Sequence, residues 1–134
     1  MPSPAPLKIL LVDDEPLARS RLRELLADIA QQVPTEVVAE AGNGLIALEI
    51  LREKVVDVVL ADIRMPVMDG CKATAAIRGL NRADAAAIPI LAMMADAFEE
   101  DFHRTKEAGM NGHITKPIDP ERLFKTLREN IKMC

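Results

Sequence analysis

The sequence predicts an α/β domain, a five-stranded parallel sheet with helices on both faces. Three observations predict it. Five short apolar runs alternate with five stretches of helical spacing, and such alternation builds a parallel sheet. The third run, Val58–Ala61, is apolar at every position, as a strand covered on both faces must be. Finally, Asp13, Asp14, Asp62 and Lys116 all stand just past predicted strand ends, where this architecture places its sites. The 134 residues amount to one domain, and the chain contains no internal repeat.

Residues 1–6 are Pro-rich and are expected to form a disordered or extended tail, with the folded domain over residues 7–134. Leu7–Val12 is a short apolar run that stops at Asp13-Asp14-Glu15 and reads as a buried strand. Pro16 suits the first turn of a helix, and Ala18, Leu22, Leu25, Leu26 and Ile29 follow at helical spacing. Glu36–Ala39 is the second strand, and Gly42-Asn43-Gly44 turns the chain into a helix carrying Leu45, Leu48 and Leu51. Val58–Ala61 ends in Asp62, and Asp69-Gly70 begins a third helix with Thr74 and Ile77 on one face and Gly79 as its stop. After a polar, Ala-rich connection over Asn81–Ala87, Ile88–Met93 is the fourth strand, with Pro89 at its start. A helix around Glu99–Ala108 stops at Gly109, and Gly112–Thr115 is the fifth strand. Asp119-Pro120 caps the last helix, whose Leu123, Phe124, Leu127 and Ile131 face inward.

Composition excludes several classes of function. A net charge of −4 and only three aromatic residues, all Phe, argue against direct nucleic-acid binding, which needs basic patches and stacking platforms. Cys71 and Cys134 are too few for a disulfide framework or a zinc site. The opening residues lack a signal peptide's basic and apolar regions, and no apolar run approaches the ~20 residues of a membrane span, so membrane insertion is not expected and the cytoplasm is.

Three carboxylates at one sheet edge repel one another, and a cation relieves the repulsion. With oxygen ligands only, the expected cofactor is magnesium, with manganese as its substitute. Magnesium often completes its shell with phosphoryl oxygens, and a carboxylate can itself form an aspartyl-phosphate, so Asp62 could be ligand and nucleophile together. Lys116 would supply the second positive charge. Singly, each residue has a plainer explanation. Asp13-Asp14 is a helix-capping pair, Asp62 a turn residue and Lys116 a solvated lysine. Their joint placement at strand ends favours the site.

Three segments then carry a resemblance: Val12-Asp13-Asp14-Glu15, Asp62-Ile63-Arg64-Met65-Pro66-Val67-Met68-Asp69-Gly70, and Gly109 through Lys116-Pro117. In this order and at these distances they resemble the signature blocks of response-regulator receiver domains of two-component signalling, over about residues 7–131. The stretch from Phe98 to Asp119 is most similar to receivers of hybrid histidine kinases, and the opening Asp13–Arg19 to receivers of transcriptional regulators. The resemblance implies a flavodoxin-like (βα)5 fold with strand order 2-1-3-4-5. It implies Asp62 as phosphoacceptor, Asp14 as direct magnesium ligand, Asp13 as a ligand through water, and the Arg64 backbone carbonyl as a further ligand. Lys116 would contact the phosphoryl group, and Lys116-Pro117 would be a cis peptide. Arg64 and Asp96 would flank the phosphoryl group and influence its hydrolysis, with their opposite charges able to pair. The implied partner is a histidine kinase or histidine phosphotransfer domain. The output domain or protein is unspecified, and self-association into a homodimer is open.

One position departs from the family. Where it places Ser or Thr at the end of the fourth strand, this chain has Met94, and no Ser or Thr occurs from Ile88 to His103. The partner switch position, often Tyr or Phe, is His113. Three readings follow. The first is a phosphoaccepting receiver, a signalling module rather than an enzyme, with self-phosphorylation from small donors and slow self-dephosphorylation. The second is an atypical receiver that binds proteins independently of phosphorylation, for which Met94 is the argument. The third is a small aspartyl-phosphate hydrolase; Arg64 stands where such enzymes carry a second Asp, and the length leaves no room for a cap domain.

Overall fold

The computed structural model describes residues 6–65, 68–80, 87–94 and 99–131. Its elements alternate strand and helix: β1 (Leu7–Val12), α1 (Pro16–Asp28), β2 (Thr35–Ala41), α2 (Gly44–Glu53), β3 (Val58–Asp62), α3 (Gly70–Arg78), β4 (Ile90–Met94), α4 (Glu99–Ala108), β5 (Gly112–Thr115) and α5 (Pro120–Asn130). All four strand pairings are parallel, and the order is β2-β1-β3-β4-β5. This is the fold the sequence predicts.

Alternation along the strands divides the core in two. Ile9 and Leu11 of β1, Leu60 of β3 and Leu91 and Met93 of β4 point to the face covered by α1 and α5, where they meet Leu22, Leu26, Leu123 and Leu127. Leu10, Val12, Val59 and Ile90 point to the other face and meet Leu48 and Leu51 of α2 and Ile77 of α3. Neighbouring residues of one strand thus serve opposite layers, which explains why β3 and β4 are apolar throughout. Thr74 is fully buried beside Ile77 and spends its hydroxyl on the Gly70 carbonyl at 2.7 Å.

Helix starts are fixed by side chains that the sequence displays. Asn43, Asp69 and Asp119 each accept a backbone N–H of the first turn, from Ile46, Lys72 and Arg122 at 2.8–2.9 Å. Each such cap is worth about 1 kcal/mol. Pro16 and Pro120 open α1 and α5.

Four boundaries differ from expectation. β2 runs to Ala41 because Val12 keeps pairing with it. β3 includes Asp62, which pairs with Met93, so the acid is the strand's last residue rather than the first beyond it. The fourth strand covers Ile90–Met94, not Ile88–Met93: Pro89 has no N–H to give a ladder, and Met94 pairs with Thr115. Ile131 lies just past α5 but still packs, half-buried, on the first core layer. The expected tail falls largely on residues 1–5, outside the described residues, as do Asp96 and Cys134.

Candidate phosphoacceptor and metal site

The carboxyl ends of β1, β3 and β5 deliver Asp13, Asp14, Asp62 and Lys116 to one edge of the sheet. One carboxylate oxygen each from Asp13, Asp14 and Asp62 lies within 4.8 Å of the others, the one such acidic group among the described residues. That spread is close to the ~4 Å spanned by opposite ligands on a magnesium ion. Donors of oxygen alone fit a hard cation, and one ligand acting through water would absorb the remainder.

Each acid has a distinct setting. Asp13 is fully buried: its N–H donates to Ala41 O at 3.0 Å, and its Oδ1 accepts from Glu15 N at 3.0 Å. Arg19 donates from its guanidinium to the Asp13 carbonyl and to Glu40 Oε1 at 3.0 Å, which ties the β1–α1 turn to β2. Asp14 is exposed. Asp62 is buried, and its Oδ1 accepts the Arg64 N–H at 3.0 Å. Burial pushes the Asp62 carboxyl up from its usual range, opposed by that hydrogen bond and by Lys116, and reinforced by the Asp13 charge. Burial first, and the Asp13 charge second, thus disfavour the ionised form of Asp62. A bound cation would reverse that pressure.

Lys116 Nζ lies 3.4 Å from Asp13 Oδ2 and 3.4 Å from Asp62 Oδ2. Burial works against its charge, yet the two carboxylates outweigh it and raise its pKa, so the ammonium is firmly cationic. Contacts this long exceed the ~2.7–2.9 Å of a tight charge-assisted bond. The lysine shares its charge between two acids and is locked onto neither. Its backbone N–H donates to Met94 O at 2.7 Å, and the Lys116-Pro117 bond is cis, as expected.

Gly70 is what lets α3 start beneath the site. A Cβ there would lie 2.5 Å from the Asp62 carbonyl oxygen and 3.0 Å from Ile63 Cα, both immovable backbone atoms.

Met94 is fully buried in a small cluster with Ile63, Cys71 and Ala92, against which Phe102 of α4 packs. His113 is exposed on β5, and its ring meets Phe102 edge-on with centroids 4.6 Å apart. Asp96, the acid expected to pair with Arg64, lies outside the described residues; among them, Arg64 NH2 donates to Asp101 Oδ1 and Oδ2 of α4 at 3.0 and 3.1 Å. A second ion pair, Arg104 to Asp69 at 3.1 Å, also ties α4 to the segment between β3 and α3. Both pairs went unread in the sequence. Neither has a local signal, because the partners stand 37 and 35 residues apart.

Comparison with known proteins agrees with this geometry. Residues 9–128 match the family model of the response regulator receiver domain. The chain is 35% identical over 121 residues to the sensor histidine kinase RcsC of Salmonella typhi, covering 90% of this chain and 12% of that one. It is 35% identical over 132 residues to the nitrate/nitrite response regulator NarP of Escherichia coli K12, covering 98% of this chain and 58% of that one. The chain thus spans only part of the length of these two relatives. Among solved structures, chemotaxis protein CheY4 of Vibrio cholerae superposes with a TM-score of 0.82 at 31% identity, covering 95% of this chain and all of that one. The receiver domain of sensor histidine kinase PA1611 from Pseudomonas aeruginosa gives 0.81 at 29% identity, covering 94% and 98%, and was solved with magnesium coordinated in its active-site cleft.

Proposed function

From the premise that this chain belongs to the response regulator receiver domains of two-component systems, we propose that Asp62 accepts a phosphoryl group from a histidine kinase or histidine phosphotransfer domain. Receiver domains are signalling phosphoacceptors, and the acidic pocket of Asp13, Asp14 and Asp62 fits that role with magnesium. The observation that carries the reading is the convergence of three carboxylate oxygens within 4.8 Å, with Lys116 Nζ 3.4 Å from two of the three acids.

In this reading Asp14, Asp62 and the Arg64 carbonyl would hold magnesium directly and Asp13 would hold it through water, with manganese as its substitute; the ion would supply charge neutralisation for phosphoryl oxygens. Asp62 Oδ1 is occupied by the Arg64 N–H, so Oδ2, on the Lys116 side, is the attacking oxygen. As its bond to phosphorus forms, the bond from phosphorus to the donor's imidazole nitrogen breaks, and that nitrogen keeps the electron pair. Lys116, held loosely by two carboxylates, moves its charge onto the transferred group. Self-phosphorylation from small donors and slow self-dephosphorylation follow from the same machinery.

The proposed domain is residues 7–134, and the proposed location is the cytoplasm. No helix among the described residues is long and apolar enough to cross a membrane. Met94 favours a second reading, a phosphorylation-independent binding module. Against it stands the pocket itself, whose buried acids cost stability and have no use without phosphoryl chemistry. Incubation with acetyl phosphate and magnesium decides between them: a magnesium-dependent gain of one phosphoryl mass is expected, and no gain in the folded protein would refute the phosphoacceptor.

A further inference from the structure

Resting on the reading of Asp62 as phosphoacceptor, we propose that Arg64 carries its phosphorylation state to α4, by exchanging Asp101 for the phosphoryl oxygens where other chains would use the hydroxyl that Met94 lacks. The problem is physical. A phosphoryl group biases a conformation only through contacts that differ between the two states. Met94 is fully buried among Ile63, Cys71 and Ala92, and its thioether is a poor partner for an anion. Its main-chain carbonyl is already engaged by Lys116 N at 2.7 Å. The differential contact has to come from another group.

Arg64 touches both ends of the path. Its N–H donates to Asp62 Oδ1 at 3.0 Å, and its guanidinium holds both carboxylate oxygens of Asp101 at 3.0 and 3.1 Å. The two partners are unequally confined. The Asp101 side chain is 5% exposed and fixed in the first turn of α4, whereas the Arg64 side chain is 54% exposed and free to swing on its solvent side. A phosphoryl group on Asp62 adds roughly one further negative charge and three acceptor oxygens beside the Arg64 main chain. The planar guanidinium fork suits those oxygens as well as it suits a carboxylate. Phosphorylation therefore sets up a competition for one cation, and Asp101 is the side that loses it.

The loss is felt along α4. Arg64 is one of the partners of Asp101, and losing its charge makes the buried setting of this carboxylate less favourable, which biases α4 toward positions nearer to water. The next residue, Phe102, packs on the Met94 cluster and edge-on against His113. A shift of the first turn of α4 must move that ring, and with it His113 on the exposed side of β5. The Arg104–Asp69 pair, one turn further along, is untouched by the exchange and acts as the pivot.

The test uses 15N-labelled protein with acetyl phosphate and magnesium, reading phosphoryl mass and the amide signals of Phe102 and His113 on the same samples. In the parent protein phosphorylation should shift the α4 equilibrium by roughly 5- to 150-fold, the range of typical couplings. Asp101→Asn should still be phosphorylated. Its resting signals at Phe102 and His113 should already lie near the phosphorylated positions of the parent and move little further. Arg64→Gln, which keeps the main-chain carbonyl, should lose the same movement per phosphorylated molecule, and it decides the matter if Asp101→Asn does not fold. Label with parent-like movement in either folded variant would overturn the proposal alone. Absence of label on the parent would overturn the phosphoacceptor reading and this inference with it.

Discussion

Replacing Gly70 by Ala should damage both fold and site, because the new methyl meets backbone that cannot move aside alone. The added methyl would sit 2.5 Å from the Asp62 carbonyl oxygen, 3.0 Å from Ile63 Cα and 3.1 Å from the Asp62 carbonyl carbon. Ordinary carbon contacts lie near ~3.5–4.0 Å, so α3 and the end of β3 must separate by several tenths of an ångström at least. Overpacking of this kind costs about 1–3 kcal/mol, or roughly 3–15 °C in Tm for a domain of this length. Because the backbone that yields is that of the proposed phosphoacceptor, labelling by acetyl phosphate should also slow, by roughly ten- to a hundredfold. Gly79→Ala is the control. A Cβ there meets its nearest atom, Ala76 O, at 3.5 Å, and the residue already has helical φ and ψ, so the change should be neutral or stabilise by about 0.4–1 kcal/mol. Thermal melts and labelling time courses on both variants check this. A Gly70→Ala protein within ~0.5 kcal/mol of the parent, or equal losses in both variants, would refute the close-approach argument.

Two further outcomes are expected. Met94→Thr restores a hydroxyl at the end of β4 and should speed labelling by roughly tenfold, the equivalent of ~1.4 kcal/mol. It also removes a fully buried side chain packed on Ile63 and Phe102, so stability should fall by about 2–4 kcal/mol; faster labelling in a less stable protein is the signature, and unchanged labelling would show that the missing hydroxyl is not limiting. Titrating magnesium, weakly bound at an open site, should move the amide signals of Asp13, Asp14, Asp62 and Arg64 first; movement confined to the α4–β5 surface would contradict the metal assignment.

The parts of this protein that were legible in its sequence are those written in local patterns. Strand β1 and the entry to α1 follow from an apolar run meeting Asp13-Asp14 and Pro16, and the caps Asn43, Asp69 and Asp119 act where they stand. The acidic pocket was legible because strand ends in a parallel sheet converge, so Asp13, Asp14, Asp62 and Lys116 could be gathered without knowing any distance. What escaped depends on how distant elements dock. The start of β4 moved because Ile88 is as apolar as Ile90, and only pairing with β3 shows that Pro89 gives just its carbonyl, to Val59 N. Arg64 found Asp101, 37 residues away, because the packing of α4 buries that acid beside it. Leu45, expected on α2 with Leu48 and Leu51, is 47% exposed while its helix mates are buried, since the sheet covers only one stripe of that helix.

The central claim is that Asp62 is the residue that carries the phosphoryl group. Borohydride reduces an acyl phosphate to an alcohol, so trapping the protein after acetyl phosphate and magnesium, then sequencing its peptides by mass spectrometry, reports the site itself. Homoserine is expected at position 62, dependent on magnesium and absent from Asp62→Asn. Homoserine at Asp13 or Asp14, or a phosphoryl group that survives unreduced on another kind of residue, would contradict it.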